Sequence, residues 1–489
     1  MNTQCSFSLA SLLAIAPTTF AQTSIDLSRA ANDALGLRSS EVVMMTAPAA
    51  EGSSILTSFE LAGQPVYLQL QPDSVRAPGF QVIEIGADGQ PVSLDPGPVR
   101  TLSGDLYGIP GSSVRGAHLD DGYYLRLLVP GFDELWMQPL ATQVPNVHSG
   151  YHVLYRTSDI VDPQRPCGSD RLADVRTDMQ QTSSGGGSFY GGTSTAELAC
   201  DADYEYYLDY GSSSAVQNRI ETVIGTMNTQ YENQVGITHQ ITAIVVRSSS
   251  NQPYTSTDAN TLLNQFRNEW NNNQGSVQRD VAQLFTGKEV NGGTIGIAWL
   301  GVICHSSYGY GLVQSDFNGN FGCATDLSAH ELGHNWNAGH CSCTSNTMNP
   351  YITCANNFSS NFTIPDIIAH RDSRSCLDGS GGPTTPTDVS VASITTSTVN
   401  LGQGRKSARA VIVIRDDLGN AVSGKTVSCT VTGDLNESLS GVTGSDGSVT
   451  LTTVGWKKGR LRFTFCVDDV TGTGLPYDAN DNAVTCAQN

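Results

Sequence analysis

One stretch constrains this chain more than any other: His330-Glu331-Leu332-Gly333-His334-Asn335-Trp336-Asn337-Ala338-Gly339-His340. Residues four apart share one face of a helix, so His330 and His334 can hold the same cation. Neutral imidazole is a good Zn²⁺ ligand. Glu331 stands about 100° round the helix from His330, close enough to serve water at the cation without ligating it. His340 can return as a third ligand if the chain turns sharply, and Asn337 is where the turn is expected, because Asn tolerates positive φ better than any residue but Gly. Three protein ligands leave a position open, and an open zinc site makes water acidic enough to be a nucleophile near neutral pH. The competing readings are a chance match or a structural zinc. A structural site would be closed by a fourth ligand and would have no use for Glu331.

The chain has 489 residues, enough for two to four domains. A net charge of -20 with only 15% charged residues argues against a nucleic-acid partner, which needs a basic face. The apolar run of residues 8–16 followed by Thr19-Phe20-Ala21 reads as a secretory signal (1–21), although no Lys or Arg precedes it. No later run reaches the ~18 apolar residues of a spanning helix. Twelve cysteines, one of them (Cys5) in the signal, then read as a disulfide framework of an exported protein. Eleven is odd, so one thiol is left over or pairs between molecules.

Two linkers, 180–195 (QQTSSGGGSFYGGTST) and 379–386, divide the exported chain. Residues 22 to about 180 alternate as strands, for example 66–71 and 123–128. Residues 196–378 mix strands and helices: a helix at 212–234 with Val216, Ile220, Val223, Ile224, Met227 and Tyr231 on one face, a strand at 237–246, a helix at 260–270, an apolar strand at 294–303 and a helix from about 324 to 335. That order predicts an α/β or α+β domain. Residues 387–489 show short strands between turn signals, as in an Ig-like sandwich.

The motif resembles the metzincin zinc-endopeptidase signature with its Met-turn, in which Met348 of Asn346-Thr347-Met348-Asn349-Pro350 would floor the zinc. Within the metzincins the reprolysin (adamalysin, ADAM-like) family is the most similar, through residues 296–304, 311–316, 358–359, 366–367 and 375–377, so that the resemblance covers about 197–378. Asn337 in place of Gly and Cys341 in place of an acidic residue depart from the pattern. The resemblance implies a mixed-sheet catalytic domain with a zinc-binding helix, and a peptide substrate extended along the strand around Ile297 to Gly301, Leu300 and Gly301 included. It also implies pocket walls at Pro350 and Tyr351, and attack by zinc-activated water with Glu331 as general base. It implies a Cys304–Cys376 disulfide. Sequence proximity suggests Cys466–Cys486.

Pro166-Cys167-Gly168-Ser169-Asp170 resembles the cysteine switch of metzincin prodomains, and residues 136–140 and 152–156 resemble a reprolysin propeptide. Cys167 would then occupy the open zinc position until proteolysis in 180–195. Its alternative is a disulfide, with Cys200 a candidate. With seven and three cysteines in the second and third parts, one bridge between them is a further expectation. Residues 415–424 and 444–447 resemble bacterial Ig-like domains of the invasin type. Asp478, Asn480 and Asp481 lack EF-hand spacing, so calcium is unsupported. His118, His148, His152, His239, His305 and His370 lack ligand spacing and are read as ordinary surface or core residues. The expectation is a secreted, monomeric zinc endopeptidase precursor: signal 1–21, propeptide 22–195, peptidase 196–378, linker 379–386 and Ig-like module 387–489. It acts on proteins or peptides and is released by an activating protease. The competing class is an adhesion protein carrying an inert peptidase-like scaffold.

Overall fold

The computed structural model describes residues 22–51, 54–175, 193–379, 388–416, 421–444, 447–479, 482 and 484–489. The expected signal segment (1–21), most of both expected linkers, Asn480 and Asp481 lie outside them. The chain divides into two compact units, one holding residues up to 186 together with 194–378, the other built mainly from 379–489.

In the first unit the strands Ile237–Arg247, Ser194–Ala202, Val281–Phe285 and Tyr310–Val313 lie side by side in that order, all parallel. The short strand Gly296–Ala298 runs antiparallel at one edge. Helices α1 (Gln22–Leu35), α2 (Tyr204–Tyr210), α3 (Ser213–Val235), α4 (Ala259–Asn273), α5 (Phe321–Asn335) and α6 (Thr363–Asp372) complete the unit. Asp203, Ser212, Asp258 and Asn320 cap α2 to α5 by accepting from backbone N–H groups of the first turn. Gly211 and Gly236, both at positive φ, end α2 and α3.

The N-terminal part is not a separate strand-rich module. It opens with α1, where Leu27, Ala31 and Leu35 recur every fourth residue and pack inward. Its strands then form an antiparallel sheet running from Ser54–Leu61 and Gln64–Pro72 through Gly122–Leu128 to Tyr151–Arg156. Between these, Arg76–Ile85 leaves that sheet and pairs in parallel with Ile237–Arg247, carrying the hairpin strand Pro91–Leu94 with it. The peptidase-region sheet therefore ends on strands from the N-terminal part.

This explains why α3 is buried nearly all round rather than on one apolar stripe. Val216, Ile220, Val223, Ile224, Met227 and Tyr231 face its core, but Gln217, Arg219, Glu221 and Thr226 are buried too. The N-terminal strands cover that second face, and its charges are paired: Arg76 with Glu221 at 2.9 Å, Arg115 with Glu232 at 2.9 Å, and Arg219 with Asp316.

The second unit is all β. Val389–Asn400, Arg405–Asp416 and Ser448–Thr452 form one antiparallel sheet, and Glu437–Val442, Thr426–Gly433, Phe463–Thr471 and Cys486–Gln488 another. Both contribute to one core that includes Val391, Ile412, Val427, Val431 and Phe465.

Disulfides join Cys304 to Cys376, Cys323 to Cys354, Cys341 to Cys343 and Cys466 to Cys486. Cys167, Cys200 and Cys429 are buried free thiols. Neither the Cys167–Cys200 alternative nor a bridge linking the second and third parts of the sequence is formed.

Candidate metal centre and active site

Helix α5 begins at Phe321, three residues before the sequence suggested, because Asn320 caps it. Every residue of it is buried. His330 and His334 lie on one face, and the chain turns back through Asn337, whose φ is 74°. His340 thereby returns beside them. The three Nε2 atoms form a triangle with sides of 3.1, 3.2 and 3.3 Å.

Each Nδ1 faces an oxygen. That of His330 meets the Thr347 carbonyl at 2.5 Å, that of His334 the Ala338 carbonyl at 2.8 Å, and that of His340 the Asp170 carboxylate at 2.9 Å. Carbonyls and carboxylates accept, so each Nδ1 is the donor and each Nε2 presents a lone pair to the same point. Burial, reinforced by the neighbouring imidazoles, pushes His330 down to about 3 and His334 well below the usual range, which keeps both neutral. Cys167 Sγ stands 3.5 Å from His334 Nε2 and completes a four-residue cluster.

Converging lone pairs repel unless a cation lies between them. Nitrogens at two corners of a tetrahedron with ~2.0–2.1 Å arms are about 3.3 Å apart, which matches the triangle. The set of three imidazoles and one sulfur suits zinc. Burial and the Glu331 carboxylate push the Cys167 thiol well above its ordinary value. A cation at the focus reverses this, since a coordinating thiol is deprotonated outright.

Glu331 is buried, and neither carboxylate oxygen has a hydrogen-bond partner. Burial raises its pKa to about 8, with the Cys167 thiol and the Ser169 hydroxyl near enough to temper the rise. Its carboxylate lies against Gly296, where an added Cβ would come within 2.2 Å of Oε1. Glycine there is a space requirement. Met348 is fully buried, and a Cβ on Gly333 would meet its Sδ at 2.5 Å.

The segment carrying Cys167 is held as an added strand on two sides. On one, Ile295 N donates to Pro166 O, Gly168 N to Gly296 O, and Ala298 N to Ser169 Oγ. On the other, Arg165–Pro166 pairs with Tyr351–Ile352, and Cys167 N donates to Pro350 O. Pro350 and Tyr351 thus border the cleft, Tyr351 being 46% exposed. The edge available to an extended peptide is shorter than the sequence suggested. It is confined to Gly296–Ala298, because Gly301, Val302 and Ile303 donate their N–H groups to the His334 and Asn335 carbonyls. Gly301 thus caps the end of α5, and neither it nor Leu300 extends the strand.

Several residues here escaped sequence reading. In the sequence, Asp170 and Ser169 stand out only as neighbours of Cys167. Asp326, one turn before His330, accepts from Thr347 Oγ1 at 2.6 Å and from the N–H groups of Ala355 and Asn356. It fixes the strip whose Thr347 carbonyl holds His330. A buried Asp inside an apolar helix is a signal, but its partners lie 21–30 residues away in sequence.

Residues 192–371 match the reprolysin-type model described as metallo-peptidase family M12. Over 141 residues the chain is 31% identical to the zinc metalloproteinase-disintegrin-like atrase-A of Naja atra, an alignment covering 28% of this chain and only 22% of that protein's length. The region that carries the histidine cluster is therefore similar to M12 zinc metallopeptidases.

Proposed function

We propose that this chain is the latent precursor of a secreted zinc endopeptidase of the metzincin type, with Cys167 as its switch. One observation carries the reading: three Nε2 lone pairs and one sulfur converge on a point beside a buried, unpartnered glutamate. His330, His334 and His340 would hold the zinc, with Met348 beneath them. When bound, zinc supplies a Lewis acid for a peptide carbonyl and acidifies water.

Glu331 supplies the proton chemistry. Buried beside the histidines, its carboxylate can take a proton from the attacking water and pass it to the leaving amine. No Ser or Cys nucleophile is required. The main chain of Gly296–Ala298 would align an extended protein substrate, with Pro350 and Tyr351 bordering the pocket beyond the scissile bond. In the precursor, residues 165–169 occupy that groove and exclude substrate. The signal-like N-terminus and the disulfides support export. The C-terminal unit fits an Ig-like spacer or adhesion module. No helix among the described residues is long and apolar enough to cross a membrane, and the -20 charge disfavours a nucleic-acid partner.

The test is turnover of casein by full-length protein in which protease sites engineered at 161–164 and 182–190 excise the Cys167 segment, beside an E331A control with zinc quantified in both. Chelator-sensitive turnover, lost in the control while zinc stays bound, is the expected result. Zinc bound in both with no turnover would overturn the reading.

A further inference from the structure

The charge of this chain is unevenly placed. Residues 379–489 hold nine of its 26 lysines and arginines but only ten of its 46 carboxylates, so nearly all of the -20 lies elsewhere in the sequence. Six of those nine cations gather at one end of the second unit. There the strand Arg405–Asp416 pairs with the short strand Lys457–Lys458, Arg405 opposite Lys458 and Lys406 opposite Lys457. Gly459 N extends the pairing by donating to Gly404 O at 3.0 Å, which brings Arg460 to the same end. Arg462 follows, its N–H donating to Asp434 Oδ2 at 2.8 Å.

Like charges directly opposite one another weaken a strand pair. Here two such pairs stand side by side. Asp434 answers one of the four, reaching Lys457 Nζ at 2.6 Å. Among the described residues, Arg405, Lys406, Lys458 and Arg460 pair with no carboxylate. Trp456 lies among them, 47% exposed, with the Arg405 guanidinium carbon 5.1 Å from its ring centroid. The indole is thus held by a cation while nearly half of the residue meets water.

We propose that this end of the second unit binds an acidic polysaccharide, a chain of sugars carrying sulfate or carboxylate groups. Lysine and arginine take such groups by charge-assisted hydrogen bonds, and the indole offers an apolar face to a sugar ring. A polyanion over the two strand pairs also relieves their repulsion. Because the rest of the chain is acidic, it is repelled by the same polymer, and this end is steered to it first. Two other polyanions fit less well. A bilayer needs an apolar tip to enter, but the turn beside Arg405 is Gly402-Gln403-Gly404. The exposed Val454 has the Glu437 carboxylate beside it, accepting from its N–H at 2.9 Å, and acidic lipids would repel that group. Single-stranded nucleic acid stacks on successive aromatic rings, and Trp456 is the one exposed aromatic residue among those described in this unit. The proposal gives the second unit a ligand class and stands whether or not the first unit is a peptidase.

The test uses full-length protein and reads binding, not turnover. Calorimetry measures the affinity for heparin, a sulfated polysaccharide, beside alginate, which carries carboxylates alone, and neutral dextran. Heparin is expected to bind and dextran not to bind. Alginate binding extends the site to carboxylates, and its absence assigns the site to sulfate. Heparin affinity is expected to fall at least tenfold between about 50 and 200 mM salt. K458A/R460A should weaken it by about a further tenfold. R415A, which removes a cation near the other end of the Arg405–Asp416 strand, should leave it unchanged. W456A should weaken it severalfold without changing the salt dependence, because the ring contributes contact and not charge. These residues are exposed, so the melting temperatures of the K458A/R460A and W456A variants should match that of wild type, which keeps lost binding apart from lost fold. Absence of heparin binding at the lower salt overturns the proposal. So do equal losses in R415A and K458A/R460A, and so does tighter binding of phosphatidylserine vesicles or DNA than of heparin.

Discussion

Asp170 Oδ1 accepts a hydrogen bond from His340 Nδ1 at 2.9 Å, so the segment that brings sulfur to the histidines also orients one of them. Outer partners of this kind typically contribute 10–100-fold to metal affinity. Asp170 is 74% exposed, and water can replace it in part. D170A is therefore expected to weaken zinc retention by the precursor by about tenfold, the lower end of that range. Chelator competition measures it. Zinc retention unchanged in D170A would rule out the positioning role.

Glu331 is buried with neither carboxylate oxygen hydrogen-bonded, and a charge is costly there. E331Q keeps the shape and removes the group that can take a proton. Turnover by the activated enzyme should fall by about 10²–10⁴-fold, as for loss of a general base. Zinc content should be unchanged, and the precursor's melting temperature should not fall. A fall in zinc content in parallel with activity would instead make Glu331 a structural support for the site.

Gly333 and Met348 are fitted to each other. A methyl group on Gly333 would sit 2.5 Å from Met348 Sδ, and Met348 is fully buried. Overpacking of this kind costs about 1–3 kcal/mol. G333A should lower the chain's stability by that amount. Pairing it with M348A should recover part of the loss. The coupling measured in that cycle distinguishes contact from a general helix effect.

The histidine cluster was the most legible part of the sequence, because its spacing is local. His330 and His334 follow from helical periodicity, and the return of His340 follows from the tolerance of Asn337 for positive φ. Helices α3 and α4 were legible for the same reason, through the recurrence of Val216, Ile220 and Val223, and of Leu262, Leu263 and Phe266. Long-range pairings were not. Nothing local says that Arg76–Ile85 deserts its neighbours for Ile237–Arg247, since strand alternation specifies a face and not a partner. The 294–303 stretch looks like one long strand because it is apolar throughout. It is apolar because it is buried, and only Gly296–Ala298 pairs as a strand while the rest closes the end of α5.

Asp326 provides a test by pH. It is fully buried, and burial raises its pKa from 3.8 to about 6 against the opposing pull of Thr347, Asn356 and Ala355. The folded chain thus holds this proton more tightly than the unfolded chain does. The resulting stabilisation is complete below pH 3.8 and is lost as pH rises through about 6. Two pKa units correspond to about 3 kcal/mol. D326N cannot ionise, so it carries no such slope. Its amide also opposes the Ala355 N–H, a pH-independent cost of about 1–3 kcal/mol. The variant is therefore expected to be clearly less stable than wild type near pH 4, with the gap closing or reversing by pH 7. Urea unfolding of both precursors across that range, with chelator present throughout so that zinc loss does not enter, measures the difference. A gap constant from pH 4 to 7 would show that Asp326 is ionised in the fold across the whole range, held as a carboxylate by its three donors.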